Sequence, residues 1–370
     1  MTNRILHLLI CLTGCLQTPL LHAATPYVTQ VFEYLPAPGQ FTNVLPPYEE
    51  GDKAEDMARK ALERIGGQAV GSTVSLGGFG GYIVVGFDHA IKNEPDEYDF
   101  RVNGNAYAGN AEPGVIAVMK DENENGLPDD TWYEIKGSAH DSAATINDYQ
   151  ITYYKPSAEN DAASTSIESY IRWTDNQGGD GYLPKNSYHH QSYYPQWLTD
   201  NAYTLSGTRL PSNSHYDGNT WTLSAFDYGY ADNWSNSSDA SKIDIDWAVD
   251  DECNPAMLDE IHFIKIYCAE HQLCGWIGET STEICGVEDL HPADGISEVS
   301  APVLWVENPI TDYLKISLTT DCTIKLYTIH GKPLRIIEAT APSFQADCSD
   351  LPSGLYLMEI NQNIYKLIKQ

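Results

Sequence analysis

Between Thr73 and Lys155 six short runs of alternating apolar and polar residues follow one another, with turn residues between them. They are TVSLGG (73–78), YIVVGF (82–87), YDFRVNGN (98–105), GVIAVMK (114–120), TWYEIKG (131–137) and YQITYYK (149–155). β-Branched and aromatic residues with a period of two suit a half-buried strand, and closely spaced turns pair strands antiparallel. The pattern predicts an all-β sandwich. One segment breaks it. GDKAEDMARKALERIGG (51–67) reads as an amphipathic helix, with Ala54, Met57, Ala58, Ala61, Leu62 and Ile65 on one face. Acids sit in its first turn and Gly66-Gly67 ends it.

From 157 to 242 the period is lost. Asn, Ser, Gly and Asp abound, and long loops with short strands such as WTLSAFDYG (221–229) are expected. Strands return at KIDIDWAVD (242–250) and IHFIKIYCA (261–269), and a Gly/Asp/Ser-rich break at 293–300 closes the domain. Beyond it, DYLKISL (312–318), TIKLYTI (323–329), GLYLMEI (354–360) and YKLIKQ (365–370) predict a separate small β-sandwich. The expected division is a signal peptide at 1–24, a ligand-binding domain at 25–295 and a small domain at 296–370. Residues 1–24 carry a basic Arg4, an apolar run from Ile5 to Leu12 and small Ala23 and Ala24, the pattern of a secretory signal. The run is too short to span a bilayer. LTGC at 12–15 has the form of a lipobox acylated at Cys15, but cleavage near Ala23 or Ala24 is the preferred reading.

Charge excludes one class of partner. A formal net charge of −31 repels nucleic acid and anionic lipid. Beyond the signal the chain keeps six cysteines, and in an exported protein an even number favours disulfides. Cys322 and Cys348 fall in the small domain and are expected to pair. The pairing of Cys253, Cys268, Cys274 and Cys285 stays open.

DENENGLPDD (121–130) concentrates acids and amides around a Gly-Leu-Pro break. Asp121, Asn123 and Asn125 fall at positions 1, 3 and 5 of a calcium loop, Gly126 at 6, the Leu127 carbonyl at 7 and Asp129 at 9. Trp132 stands where a bidentate Glu is usual, so Asp130 or Glu134 must substitute. Strands flank this loop, so the expected Ca2+ is structural and pins a hairpin. Eleven Tyr and Trp side chains between Tyr182 and Trp234 mark the expected ligand face, because aromatic faces stack on sugars and other flat ligands. Tyr193, Tyr194, Trp197, Tyr216 and Trp234 are the chosen contacts. His189 and His190 read as surface residues. No GxSxG or HExxH motif occurs, so a non-catalytic role is preferred. Asp244 and Asp246, on one face of an expected strand, are the best candidates for a glycosidase pair. The glycines of LGGFGGYIVVG (76–86) precede a strand, which removes the geometry of a phosphate loop.

Three blocks carry resemblances. ENPITDYLKI (307–316), IKLYTIHGKPL (324–334), DLPSGLYLMEI (350–360) and the basic end KLIKQ (366–370) resemble the type A sorting domain of the type IX secretion system. That resemblance implies a Bacteroidota protein carried across the outer membrane, with the type IX machinery as partner. GGFGGYIVVGFDHAI (77–91), YDFRVNGNAYAG (98–109) and EPGVIAVMKDENENGLPDDTWYEIKGS (112–138) resemble the jelly-roll domains of Bacteroidota cell-surface proteins. IDIDWAVD (243–250) and IHFIKIYCAEHQLCGWIGETSTEICGVEDL (261–290) resemble the far end of the same module. Some of those proteins are encoded beside corrinoid (vitamin B12) uptake systems. The implied function is surface capture of a nutrient, a corrinoid or a glycan, with an outer-membrane transporter as possible partner. The alternatives are a glycan-cleaving enzyme and a structural or adhesive surface component.

Overall fold

Gly114–Met119 forms a strand in which all six residues are buried. A strand hidden on both sides must lie inside a sheet that is covered on both faces. The computed structural model describes residues 24–292, 303–306, 308–318, 322–329, 331–360 and 363–370. The expected signal up to Ala23, its LTGC segment and the 293–300 break lie outside these residues. The chain divides into two units, Ala24–Pro292 and a C-terminal one, each with its own core.

The larger unit is an all-β sandwich. Its main sheet has six strands in the order Gln30–Leu35, Tyr82–Lys92, Glu260–Cys268, Gly114–Met119, Tyr133–Ile135, Ala248–Val249, every pair antiparallel. One face of this sheet packs on the helix Ala54–Ile65 and on short sheets that include Val74–Ser75, Phe100–Asn103 and Gly286–Asp289. The helix forms where its apolar period places it. Met57, Ala58, Ala61 and Ile65 are buried, and the Lys53 N–H donates to Asp56 Oδ2 at 3.1 Å to close the first turn. Gly66 ends it, its N–H donating to the Leu62 carbonyl at 2.7 Å. Burying a side chain the size of Met57 contributes about 1.5–3 kcal/mol.

A second sheet has four strands in the order Ala202–Arg209, Ile146–Tyr154, Ile167–Asp175, Asp180–Lys185. Tyr149, Ile151 and Tyr153 alternate inward along Ile146–Tyr154, as a period of two requires. Three of these strands lie in the stretch expected to be long loops. The register breaks between Ile167 and Ile171 and between Gly207 and Arg209 explain the difference. A bulge inserts a residue and shifts the alternation, which erases the sequence signal of a strand. Tyr170, Ile171, Leu183 and Leu205 still reach the core.

Asp244 and Asp246 do not share a strand face. Ile245–Trp247 is a 3-10 turn, and the Asp244 carboxylate caps it by accepting from the Asp246 N–H at 2.8 Å. Asp246 accepts from Asn93 Nδ2 at 2.8 Å.

The C-terminal unit is a small β domain of two sheets. One orders Val303–Val306, Tyr313–Leu318 and Ser343–Asp347, the other Pro333–Ala339, Cys322–Thr328, Gly354–Ile360 and Asn363–Lys369. Leu314, Ile316, Ile324, Leu326, Met358 and Ile360 fill its core. No disulfide occurs among the described residues, so the expected Cys322–Cys348 bridge is not shown. Both side chains pack in this same core as small apolar groups.

Candidate functional site

The strand Glu260–Cys268 ends against the second sheet, and a polar hairpin follows it. Leu273 bridges to Glu279, the Thr280 N–H donates to the Gln272 carbonyl at 3.3 Å, and Gly275–Ile277 makes a 3-10 turn at the tip. This hairpin and the second sheet enclose a cavity of about 310 Å³. Phe79, Tyr153, Trp173, Tyr182 and Leu183 form its apolar wall, and Glu270, His271, Gln272, Glu279 and Thr280 its polar side. Trp173 is seated by the strand opposite. Its cross-strand partner is Gly181, and a Cβ there would come within 2.6 Å of the indole. The indole and the His271 ring meet edge to face, their centroids 4.4 Å apart at an interplanar angle of 85°.

The polar side is organised by Gln272. Its Nε2 donates to Thr280 Oγ1 and Asn213 Oδ1, each at 2.8 Å, and to Glu270 Oε2. Glu270 is 1% exposed, and its Oε1 has no hydrogen-bond partner. Glu279 Oε1 accepts the Gln40 N–H at 2.6 Å. Burial pushes the Glu270 carboxyl well above the usual range and Glu279 up to about 7. Burial also holds His271 down at about 4, so its imidazole is neutral.

A second carboxylate group lies nearby in the fold. Oxygens of Glu112, Asp232 and Glu283 lie within 4.8 Å of one another and could hold a metal ion. Asp232 accepts from the N–H groups of Asn105, Ala106 and Glu283 at 2.8, 2.8 and 2.9 Å. Burial pushes all three carboxyls upward, and the charge of Asp232 adds to the shifts of Glu112 and Glu283. Three carboxylates this close cannot all stay ionised without protons or a cation between them.

The 121–130 segment joins the strands Gly114–Met119 and Tyr133–Ile135, as expected of a hairpin loop. Asp121 accepts from the N–H groups of Asn125 at 3.1 Å and Gly126 at 2.8 Å. Asn123 and Asn125 each reach Asp129, at 3.0 and 3.1 Å, and Asn123 also reaches Asp130 at 3.2 Å. The Leu127 carbonyl accepts from the Asp129 N–H at 2.9 Å. Gly126 takes φ +73°, a left-handed turn that glycine adopts freely.

The five chosen aromatic contacts do not converge, and none lines the cavity. Tyr193 and Tyr194 are core residues, 0% and 2% exposed. Their hydroxyls donate to the His189 and Asp200 carbonyls at 3.3 and 3.0 Å, and their rings pack on Tyr170 and Tyr203. They cannot offer a face to a ligand. Trp197 is partly buried and stacks with Tyr34 and Tyr48. Tyr216 and Trp234 are exposed, but at separate places. Tyr216 lies on the Ser214–Tyr216 strand, and the Trp234 Nε1 donates to the Phe226 carbonyl at 2.7 Å. Sequence reading missed Trp173, Glu270, His271 and Glu279. The one local signal was the polar triplet Glu270-His271-Gln272 directly after an apolar strand.

No curated protein matches the chain. Two solved structures show faint likenesses. A chain titled "Biofilm associated protein - BSP domain" is 10% identical, over 85% of this chain and 55% of that one, with a TM-score of 0.16. A beta-glucuronidase of an uncultured Clostridium sp. is 9% identical, over 76% and 46%, with a TM-score of 0.14. The chain thus spans about half the length of the solved chains it matches, and likenesses this slight carry no argument about function. The C-terminal end is different. Residues 308–370 match the secretion system C-terminal sorting domain, which marks the protein as a type IX secretion substrate, exported to and attached at the cell surface of a Bacteroidota bacterium.

Proposed function

We propose that the Ala24–Pro292 unit captures a carbohydrate at the cell surface and holds it, without chemistry, in the aromatic cavity. The observation that carries this reading is an aromatic wall facing a polar side within one cavity of about 310 Å³. The apolar face of a sugar ring stacks on Trp or Tyr, and its hydroxyls need hydrogen-bond partners close by. Trp173 and Tyr182 supply the first, and Gln272, His271 and Thr280 the second. The volume lies at the small end of ligand pockets. It suits one or two sugar units and would leave most of a corrin outside, so a glycan is favoured over a corrinoid. Titration of the full chain against mono- and oligosaccharides, followed by tryptophan fluorescence, tests the reading. Binding that is lost in Trp173→Ala supports it. Binding that survives that substitution places the ligand elsewhere.

Calcium belongs to this proposal as a scaffold ion held by Asp121, Asn123, Asn125, Asp129, Asp130 and the Leu127 carbonyl. The support is that hydrogen bonds draw these side chains into one turn between two paired strands.

One observation favours a second reading, a glycan-cleaving enzyme. Glu270 and Glu279 line the same cavity, and carboxyl pairs beside a bound sugar perform glycoside hydrolysis. Release of reducing ends by the wild type, absent in Glu279→Gln, would replace capture by turnover. Binding without product release rejects the enzyme.

A further inference from the structure

We propose that the cavity recognises a protonated amine carried on a ring-sized ligand, with Glu270 as the group that receives it. The inference rests on the capture reading above and names the chemical class of the ligand. Glu270 lines the cavity, is 1% exposed, and has one oxygen, Oε1, without a partner. A buried polar atom left in that state destabilises the fold. Such atoms are rare in folded proteins unless water, an ion or a ligand completes them. Glu279 lines the same cavity and has one oxygen committed to the Gln40 N–H.

The rest of the lining points to a cation as the missing partner. No Lys or Arg lines the cavity, so a carboxyl that ionises there has no counterion in the lining. Phe79, Tyr153, Trp173 and Tyr182 present aromatic rings to the same space. Ring faces carry the negative side of a quadrupole and attract ammonium groups. An ammonium ion stabilises an ionised carboxyl and is attracted by the ring faces at the same time. An anionic ligand disfavours that ionisation and is repelled by the rings, and a neutral hydroxyl satisfies Oε1 but gains nothing from either.

Burial raises the Glu270 carboxyl well above its usual range, which favours the protonated form. An ammonium ion that binds at Oε1 favours the carboxylate instead and drives off the proton the carboxyl holds. The product is an ammonium–carboxylate pair, and the proton leaves to solvent. His271 is neutral and does not compete for the carboxylate. Tyr153 stays protonated, its hydroxyl held far up by burial.

Two sources share this chemistry, an amino sugar and an arylalkyl amine. Calorimetry of the full chain at pH 7 separates them, with glucosamine, glucose, N-acetylglucosamine and tyramine as probes. Each is run in two buffers of different ionisation enthalpy. The expected result is glucosamine binding at least about tenfold tighter than glucose or N-acetylglucosamine, the scale of one charge-assisted hydrogen bond. Amine binding releases protons, as the displacement requires. Glu270→Gln abolishes both the preference and the proton release. Tyramine binding with no sugar binding keeps the amine and removes the carbohydrate. Glucose and glucosamine binding equally, with no proton released, overturns the inference and leaves capture standing. Failure of all four probes overturns both.

Discussion

Glu279 offers a direct test of how burial shapes this cavity. It is 7% exposed, and its carboxyl is held at about 7 against an ordinary value of 4.5. Its folded-state value lies above its unfolded one, so the folded protein keeps the proton longer. The stabilising contribution is complete below about pH 4.5, declines between about 4.5 and 7, and is gone above that. The interval corresponds to about 3 kcal/mol. Glu279→Gln cannot ionise and escapes this loss, while its amide oxygen can still accept the Gln40 N–H that Glu279 Oε1 takes at 2.6 Å. Any cost of fitting the amide is the same at every pH. Urea unfolding of wild type and variant at pH 5 and pH 8 therefore isolates the ionisation. The variant should gain about 2–3 kcal/mol relative to wild type on going from pH 5 to pH 8. Other carboxyls titrate equally in both proteins and cancel in the difference. A difference that stays flat with pH, or a variant less stable at pH 8 than at pH 5 relative to wild type, refutes the claim that Glu279 is held neutral by burial.

Chelation with EDTA should lower the melting temperature of the larger unit. An ion present at a hundredfold excess over its dissociation constant contributes about 2.7 kcal/mol. Asp121→Ala should show the same loss and no further response to EDTA. Gly181→Ala should weaken ligand binding with little change in melting, because its Cβ meets the movable end of the Trp173 indole and not the backbone. Fluorescence titration measures the first and thermal melting the second. Deletion of 308–370 should leave the protein inside the outer membrane. Immunoblots of periplasm, cell surface and medium check this, and surface display of the truncated chain would refute the assignment of that segment.

Local chemistry made part of this fold legible. The helix Ala54–Ile65 carries its own period, first-turn acids and terminal glycines within one segment. The hairpin around 121–130 is bounded by two strands whose alternation is unbroken. The second sheet was hidden because its bulges reset the alternation that betrays a strand. The cavity was hidden for a different reason. Trp173 and Glu270 are far apart in sequence, and only the pairing of distant strands brings them to one wall. Tyr193 and Tyr194 show the same limit from the other side. A tyrosine in a polar segment reads as exposed, yet these two fill the space between a sheet and its own connecting loop. Residue type gives the chemistry of a side chain, while its accessibility depends on partners elsewhere in the chain.

The place of Glu260–Cys268 in the main sheet sets an order of assembly. Gln30–Leu35 with Tyr82–Lys92, and Gly114–Met119 with Tyr133–Ile135, are two ribbons that the early part of the chain can form alone. Each ribbon keeps an apolar strand with one open edge, and the same late strand closes both. Residues 120–259 separate Gly114–Met119 from Glu260–Cys268, so the sheet is completed by contacts of long sequence separation. Such contacts form slowly, and open apolar edges recruit other chains. A chain synthesised from its N-terminus therefore carries two adhesive ribbons until Glu260–Cys268 follows, and other chains can pair with them for as long as they stay apart.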